Sequence, residues 1–364
     1  MSKRIILYLP RSKSIATNFQ DFLDRWEIYT KALRRVSEDG NNIEILTDVS
    51  FDSLSRNGLK SLFVGKSRLR QVLYLYHELK HYKSDTVLIA GNNFDALFIC
   101  LSIRSICRRT HVQASLHMET SAIKRMSGTK GLVKRVALRT LIPRVDSLRL
   151  VRKSEIDRAI ENFKLRETQV VVCPLPISPG LTLDSRTLSL SQPRLGVLGY
   201  VGRIQEERNP LHWSKIATQA LKAFGGLRLV IAGDGPMRAQ MQSSLQPFLD
   251  RIIFKGKLEN KELMNVWSEI HTLLVTAPYE SYGLATREAL LNGCFVVAPN
   301  IEANRELKEL MPSGVRLYET FLEAVNEIKI SLEQTLNLEE VESFRVSFWE
   351  QQQRSLEDLA RSWI

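Results

Sequence analysis

The chain has 364 residues, and at roughly 150 residues per domain this length predicts two domains rather than one core. Hydrophobic residues make up 44% of it and charged residues 25%, a composition that excludes a disordered or coiled-coil protein. The net charge of +11 predicts an anionic partner, since thirteen Lys or Arg stand against two acidic residues between positions 103 and 153. The charge alone leaves phospholipid, nucleic acid and a phosphorylated substrate open.

Cysteine spacing and apolar runs predict a cytoplasmic protein. The four cysteines form no CxxC pair and have no metal-ligand spacing, which favours a reduced compartment. The first apolar run has five residues and ends at Pro10, which indicates a strand rather than a signal peptide. The longest later run, residues 97–103, is far shorter than the ~20 residues of a membrane-spanning helix.

In the N-terminal half, short apolar runs alternate with helical patterns. Strands are predicted near residues 5–9, 43–46, 86–90, 112–116 and 147–151. We therefore predict a Rossmann-like domain over residues 1–175, followed by a proline-rich linker over residues 176–193.

The C-terminal half alternates more regularly. Its predicted strands are LGVLGYVG, LRLVIAG, RIIFKG, TLLVTA, CFVVAP and VRLY, each followed by a helical pattern. This order predicts a parallel sheet with helices on both faces, in a second Rossmann-like domain over residues 194–340. Residues 341–364 are predicted to form a helix. Ligands of such sheets bind beyond the carboxyl ends of the strands.

Two glutamates follow the fourth strand of this half, in PYESYGLATREALLNG. Glu280 lies in the predicted loop and Glu288 about one turn inside the next helix. The N–H groups of Gly283, Leu284 and Ala285 would be free donors at that helix N-terminus, where a phosphate can bind. Without other evidence, the two glutamates are explained as acidic residues near a helix N-terminus, where they interact favourably with the helix dipole.

Two arginines follow the first strand of this half, in GYVGRIQEERNP. Arg203 and Arg208 lie five residues apart, and GDGP follows the second strand. A guanidinium suits a diphosphate because its planar fork binds two oxygens at once. Alone, the arginines are explained as surface residues. Their place at the same sheet edge as the glutamates indicates a site for a nucleoside diphosphate.

These segments resemble the retaining glycosyltransferases of family 4. The resembling sequences are GYVGRIQEERNP, LRLVIAGDGPMRAQM, IIFKGKLENKELMNVW, PYESYGLATREALLNGCFVVA and SFWEQQQ, which span roughly residues 195–359. The resemblance implies an α/β protein of the GT-B fold, with two Rossmann-like domains facing each other across a cleft. It also implies that the last helix crosses back to the N-terminal domain.

The resemblance implies roles for individual residues. Arg203 and Arg208, beside Gly202, would hold the donor diphosphate, with Arg208 standing where the family usually has lysine. Glu280 would lie near the transferred sugar, and Glu288 would hydrogen-bond the ribose. The segment 254–258, which contains Gly256 and Lys257, would line the base, and His117 would contact the donor sugar. Taken alone, a single histidine is more often structural.

Two departures from the family concern other positions. PRSKSIA stands after the first strand where the family has a glycine-rich loop, and Phe295 replaces a proline after Gly293. The first leaves open how the N-terminal domain approaches donor or acceptor.

The predicted activity is retaining transfer of a hexose from a nucleotide-diphosphate donor to a glycan or lipid-linked acceptor, in polysaccharide biosynthesis. Two arginines and a helix N-terminus can stabilise the leaving diphosphate without a metal, and the sequence contains no DxD. We therefore expect no metal, no cofactor and no nucleic-acid partner.

Other classes of protein remain as alternatives. A nucleotide-sugar epimerase or a sugar phosphorylase would share the architecture, and a basic binding protein could use a degenerate form of it. His77, Glu78 and His81 form a literal HExxH, which can bind zinc in metalloproteases. Lys80 before the second histidine argues against that reading, because these enzymes generally have an uncharged residue there.

A basic helix near residues 130–142 predicts peripheral binding to the inner face of the membrane. We expect Leu132, Val133, Val136 and Ala137 to bury against the domain. The opposite half should then present basic and apolar residues together to anionic lipid. That half carries Lys130, Lys134, Arg135, Arg139, Leu138, Leu141 and Ile142. The alternative is an ordinary solvated helix.

Overall fold

The computed structural model describes residues 4–9, 19–37, 43–47, 59–63, 67–81, 85–90, 94–117, 123, 128–183 and 196–364. The chain divides into two compact units. The N-terminal unit comprises residues 1–176 and 350–364, and the C-terminal unit comprises residues 177–349. The loop PRSKSIA lies outside the described residues.

A parallel seven-stranded sheet forms the centre of the N-terminal unit. Its strands are β1 (Arg4–Leu9), β2 (Ile43–Thr47), β3 (Leu59–Phe63), β4 (Thr86–Ala90), β5 (Thr110–Leu116), β6 (Ser147–Leu150) and β7 (Val170–Val172). They lie in the order β3-β2-β1-β4-β5-β6-β7. All five predicted strands are present, and the sequence reading missed β3 and β7. Both are short, and β3 has none of the β-branched residues that mark a strand.

Helices cover both faces of this sheet. They are α1 (Phe19–Val36), α2 (Arg68–His81), α3 (Phe94–Ile106), α4 (Gly128–Leu141) and α5 (Ile156–Phe163). Alternate residues of β1 point to opposite faces: Ile6 and Tyr8 pack with α2 to α5, whereas Ile5 and Leu7 pack with α1. The alternation places one core on each side of the sheet.

The helix α4 has the reverse orientation to the one predicted. Leu138, Leu141 and Ile142 are buried, whereas Leu132, Val133 and Val136 are more than half exposed. The physical reason is connectivity: α4 packs against α3, and the chain passes from α4 through the short turn Ile142–Arg144 into β6, which draws that stripe into the core. Of the predicted basic residues, Arg139 is exposed and Lys134 and Arg135 are half-buried. The Lys130 side chain lies outside the described part.

The C-terminal unit contains a parallel six-stranded sheet in the order β10-β9-β8-β11-β12-β13. Its strands are β8 (Val197–Val201), β9 (Arg228–Ala232), β10 (Ile252–Gly256), β11 (Thr272–Leu274), β12 (Phe295–Pro299) and β13 (Val315–Tyr318). Its helices are α6 (Pro210–Ala223), α7 (Arg238–Ser244), α8 (Asn260–Glu269), α9 (Leu284–Leu291), α10 (Glu302–Leu310) and α11 (Phe321–Leu332). The helices α6, α7 and α11 pack on one face, and α8, α9 and α10 on the other.

Part of the predicted linker is packed. Ile177, Leu181 and Leu183 are buried in the C-terminal core. The amide of Asn292 holds this segment, because its Oδ1 accepts from Leu183 N at 2.7 Å and its Nδ2 donates to the Leu181 carbonyl at 2.8 Å. Residues 177–183 are therefore structural parts of the C-terminal unit.

The last helix, α12 (Leu338–Arg361), contributes to both cores. Val341, Phe344 and Phe348 belong to the C-terminal core, whereas Leu356 and Leu359 belong to the N-terminal core. Among the described residues, no helix has the length and hydropathy needed to cross a bilayer.

Candidate functional site

Two loops meet at the point where the strand order of the C-terminal sheet reverses. From β8 the chain passes through α6 to β9 on one side, whereas β11 lies on the other side of β8 and leads to α9 on the opposite face. In an open parallel sheet this reversal leaves a crevice beyond the carboxyl ends of the strands, and ligands bind there. Both predicted arginines and both predicted glutamates lie at this edge.

An ion pair joins the two loops. Arg208 Nη1 contacts Glu280 Oε2, although the residues are 72 positions apart in the chain. The Glu280 side chain is 11% exposed and that of Arg208 is 44% exposed, so the pair is open to solvent mainly on the arginine side. The prediction that these two groups share one site agrees with this geometry.

A buried hydroxyl fixes the loop that carries Arg208. Thr276 Oγ1, just after β11, lies 2.9 Å from the Arg208 carbonyl and 3.2 Å from the Asn209 carbonyl. Asn209 has a φ of 51°, in the left-handed region. The sequence reading did not identify Thr276, because a hydroxyl that binds backbone carbonyls leaves no pattern.

The Arg203 side chain is exposed at the same edge and pairs with no carboxylate of the described residues. Its carbonyl accepts a hydrogen bond from the Tyr200 hydroxyl at 2.8 Å. Burial raises the pKa of Tyr200 to about 12, although the nearby charge of Arg208 acts in the opposite direction. The phenol therefore stays protonated and holds the backbone on which Arg203 stands.

Glycines allow three loops to approach backbone to backbone. Gly202 N donates to the Ala232 carbonyl at 3.0 Å, and Gly233 N donates to the Gly256 carbonyl at 2.7 Å. A Cβ on Gly233 would lie 1.8 Å from Gly202 O, and one on Gly235 would lie 2.3 Å from the Ile204 carbonyl. Only glycine fits positions 233 and 235, so GDGP is explained by this packing.

The helix α9 begins at Gly283, which has a φ of 72°, and no described side chain caps it. The amides of Leu284 and Ala285 stand in its first turn, where an α-helix has no internal acceptor for N–H groups. Glu280 Cγ lies 3.4 Å from the position of a Cβ built on Gly283. The N-terminus of the helix, a kind of position where anions can bind, is therefore adjacent to the ion pair.

Glu288 is the fifth residue of α9, about one turn inside the helix as its spacing predicts, and it is half-buried. Its neighbour Arg287 stacks over the Tyr282 ring, with 3.7 Å between the guanidinium carbon and the ring centroid. The stacking fixes the first turn of the helix beside Gly283.

The predicted base-lining segment, residues 254–258, covers the end of β10 and the two residues after it. Gly256 has a φ of 71°, and Lys257 is exposed. Arg238 Nη1 lies 3.6 Å from the position of a Cβ built on Gly256, and 3.4 Å from Asp234 Oδ2. Sequence reasoning missed Arg238, although it directly follows GDGPM in the chain.

His117 belongs to the N-terminal unit, where it follows β5 and is half-buried. Burial, together with the smaller effects of the charges of Arg149 and Arg25, lowers its pKa to about 3. The imidazole is therefore neutral at physiological pH.

The HExxH sequence lies on α2. The rings of His77 and His81 are 4.9 Å apart, but Glu78 Oε2 accepts from Arg4 Nη1 at 2.9 Å. Arg4 also binds Glu44, so Glu78 belongs to an ion-pair network. Within the described ranges, no three His, Cys, Asp or Glu side chains are grouped as metal ligands.

Known proteins match the segment of the sequence that carries this candidate site. Residues 189–328 match the family model described as Glycosyl transferases group 1. The 2-deoxystreptamine glucosyltransferase of Streptomyces kanamyceticus is 33% identical over 104 residues, which are 28% of this chain and 27% of that protein. A GDP-mannose-dependent alpha-mannosyltransferase of Mycobacterium tuberculosis is 32% identical over 111 residues, 30% of this chain and 27% of that protein. The chain thus aligns with about a quarter of each relative's length.

Solved structures match the whole chain. A sucrose-phosphate synthase from Thermosynechococcus elongatus aligns with a TM-score of 0.73 and 16% identity, over 99% of this chain and 98% of that one. Anabaena HepE, in complex with UDP-glucose, aligns with a TM-score of 0.71 and 13% identity, over the same shares. The fold is thus the α/β fold of the GT-B class, with two Rossmann-like units. At the level of family, residues 189–328 of this chain are similar to the glycosyl transferases of group 1.

Proposed function

We propose that this chain is a retaining hexosyltransferase, which moves a sugar from a nucleotide-diphosphate donor to a glycan or lipid-linked acceptor without a metal ion. The observation that carries the proposal is the Arg208–Glu280 pair at the strand-order reversal, beside the start of α9. The match of residues 189–328 to the glycosyl transferases group 1 model supports it. The relatives that match part of this chain are a glucosyltransferase and a mannosyltransferase, and the HepE structure is a complex with UDP-glucose.

The charges suit departure of a nucleoside diphosphate. When the sugar–phosphate bond breaks, negative charge grows on the diphosphate oxygens. Arg203, Arg208 and the amides of Leu284 and Ala285 can stabilise that charge, because the fold already holds them at one edge of the sheet. Their charges supply the stabilisation that a cation gives in other transferases.

The ion pair suggests how the donor engages the site. A diphosphate carries more negative charge than one carboxylate, so it competes with Glu280 for the exposed guanidinium of Arg208. Once released, the Glu280 carboxylate can accept hydrogen bonds from hydroxyls of the transferred sugar. Glu288, inside α9, is proposed to bind the ribose, and the segment around Gly256 and Lys257 to line the base.

The neutral imidazole of His117 is proposed to contact the donor sugar from the N-terminal unit. Because its pKa lies near 3, it can accept or donate a hydrogen bond without adding charge. The acceptor hydroxyl is proposed to attack from the face of the leaving group, which retains the anomeric configuration.

A thermal-shift screen of UDP-, GDP- and ADP-sugars tests donor binding. A bound donor at a hundred times its Kd should raise the melting temperature by several degrees, because binding to the native state adds about 2.7 kcal/mol. Transfer should then be followed with the binding donor in excess EDTA, with the product anomer assigned by NMR. Epimerised donor, sugar 1-phosphate formed with orthophosphate, or no stabilisation by any nucleotide sugar would each reject the proposal.

A further inference from the structure

The N-terminal unit has a cavity at the amino-terminal edge of its sheet. Its volume is about 630 Å³, and it lies between α3, the turn Ile142–Arg144 after α4 and the turn Glu167–Gln169 before β7. His117 follows the carboxyl end of β5, at the opposite edge of the same sheet. The cavity is therefore separate from His117, the candidate donor-site residue of this unit.

The lining of this cavity is positively charged. Arg104, Arg144 and Arg166 line it together with one carboxylate, that of Asp146. Both oxygens of Asp146 are engaged: Oδ1 lies 3.1 Å from Arg104 Nη2, and Oδ2 accepts from Val112 N at 2.8 Å. The carboxylate thus neutralises Arg104 alone.

Arg144 and Arg166 are exposed, and no carboxylate of the described residues neutralises either guanidinium. Arg144 is held through its backbone, since its carbonyl accepts from Arg104 Nη1, and its side chain pairs with no described carboxylate. The Arg166 guanidinium donates from Nε to the neutral Gln169 Oε1 at 3.4 Å. Two guanidiniums at one cavity suit a phosphate, which accepts paired hydrogen bonds from arginine.

Exposed apolar side chains lie on the two helices beside the cavity. Phe98, which lines the cavity from α3, is 58% exposed. Leu132 and Val136, each more than half exposed, form an apolar stripe on α4, the helix that ends at the cavity-lining residue Leu141. Exposed aromatic and aliphatic groups beside arginines are typical of surfaces that enter the boundary of a bilayer.

We propose that this cavity binds the phosphate of an anionic phospholipid headgroup, while Phe98 and the α4 stripe enter the acyl boundary. A soluble phosphate would leave Phe98 and the α4 stripe exposed to water, whereas a phospholipid accounts for both the arginines and the apolar side chains. Arg144 and Arg166, rather than the half-buried Lys134 and Arg135, are the main lipid ligands. The inference does not depend on glycosyl transfer.

Vesicle co-sedimentation of the full chain tests the inference. The probes are phosphatidylcholine vesicles with and without phosphatidylglycerol. The charge variant is Arg144→Gln with Arg166→Gln, and its matched control is Lys222→Gln with Arg228→Gln, which removes two exposed charges from the C-terminal unit. A third variant, Phe98→Ser with Val136→Ser, removes exposed apolar groups only.

We expect binding to the anionic vesicles alone. The cavity variant should weaken it by ~30-fold, about fivefold per arginine, and the control by less than threefold. The apolar variant should also weaken it, with an unchanged melting temperature. Inorganic phosphate should release no more protein than chloride at equal ionic strength.

Four results would overturn the inference. Equal binding to neutral and anionic vesicles would show that charge plays no role. Equal losses of binding in the cavity variant and its matched control would show that only the net charge of the protein matters. Extra release by inorganic phosphate would assign the cavity to a soluble phosphate. No binding to either vesicle would exclude a lipid surface.

Discussion

Replacing Arg208 by alanine removes the guanidinium that contacts Glu280 at the strand-order reversal. Because the arginine is 44% exposed, the ion pair contributes no more than about 1 kcal/mol to folding. In transfer, the same side chain is proposed to stabilise the leaving diphosphate. Loss of one such contact costs ~2 to 4 kcal/mol in the transition state, or roughly 30- to 1000-fold in kcat/KM.

The assay compares initial rates of donor consumption and melting temperatures for three variants. In Arg208→Ala, kcat/KM should fall by roughly 30- to 1000-fold with little change in melting temperature. Arg208→Lys should keep much of the activity because the positive charge remains. The matched control is Arg316→Ala, which removes a half-buried ion pair, 3.1 Å from Glu327, on the edge strand β13. The control should keep its activity within threefold.

Two outcomes would refute this reasoning. A loss under threefold in Arg208→Ala would mean that the guanidinium does not meet the developing charge. An equal activity loss in Arg316→Ala would mean that the effect follows from general destabilisation of the C-terminal unit.

Four further predictions concern other residues and the requirement for a metal ion. Glu288→Ala should weaken donor binding, measured by titration calorimetry, whereas Glu280→Ala should chiefly lower kcat; full activity in either variant would remove the assignment. Gly233→Ala should lower the free energy of unfolding, measured with a chemical denaturant, by about 3 kcal/mol or more, because the added Cβ would lie 1.8 Å from Gly202 O. Gly225→Ala, with open space around it, should leave that free energy nearly unchanged. His117 has a pKa of about 3 in the folded protein and 6.5 in the unfolded chain. Lowering the pH from 6.5 to 5 therefore protonates only the unfolded form, and it should lower the free energy of unfolding by up to roughly 2 kcal/mol. His117→Asn should lose this acid sensitivity, and the same pH profile of unfolding with and without the substitution would contradict the prediction. Transfer should persist in excess EDTA, and activity that is abolished by EDTA and restored by magnesium would disprove metal independence.

The C-terminal site was predictable because its chemistry follows the strand rhythm. Each run such as LRLVIAG is followed by a helical pattern, so the loops that carry Arg208 and Glu280 could be assigned to one sheet edge. The contact between the two side chains needed only that both loops lie at the strand-order reversal. Their catalytic roles remain predictions.

What the sequence did not reveal depends on tertiary contacts. Thr276 and Tyr200 act through hydroxyls on backbone carbonyls, and neither leaves a spacing pattern. The helix α4 offers two apolar stripes, and only the entry of the chain into β6 decides which one is buried. The cavity beside Arg144 and Arg166 likewise joins segments that are distant from α3 in sequence.

The membership of α12 in both cores affects the order of folding during synthesis. The Trp363 indole is buried in the N-terminal core, and its Nε1 donates to Gln113 Oε1 at 2.9 Å. The strands around Ile5 therefore lack part of their packing until residues 350–364 have left the ribosome, by which time residues 177–349 are complete. The unit translated first is the one whose core closes last, so a nascent chain stalled before residue 350 exposes apolar surface in its N-terminal half.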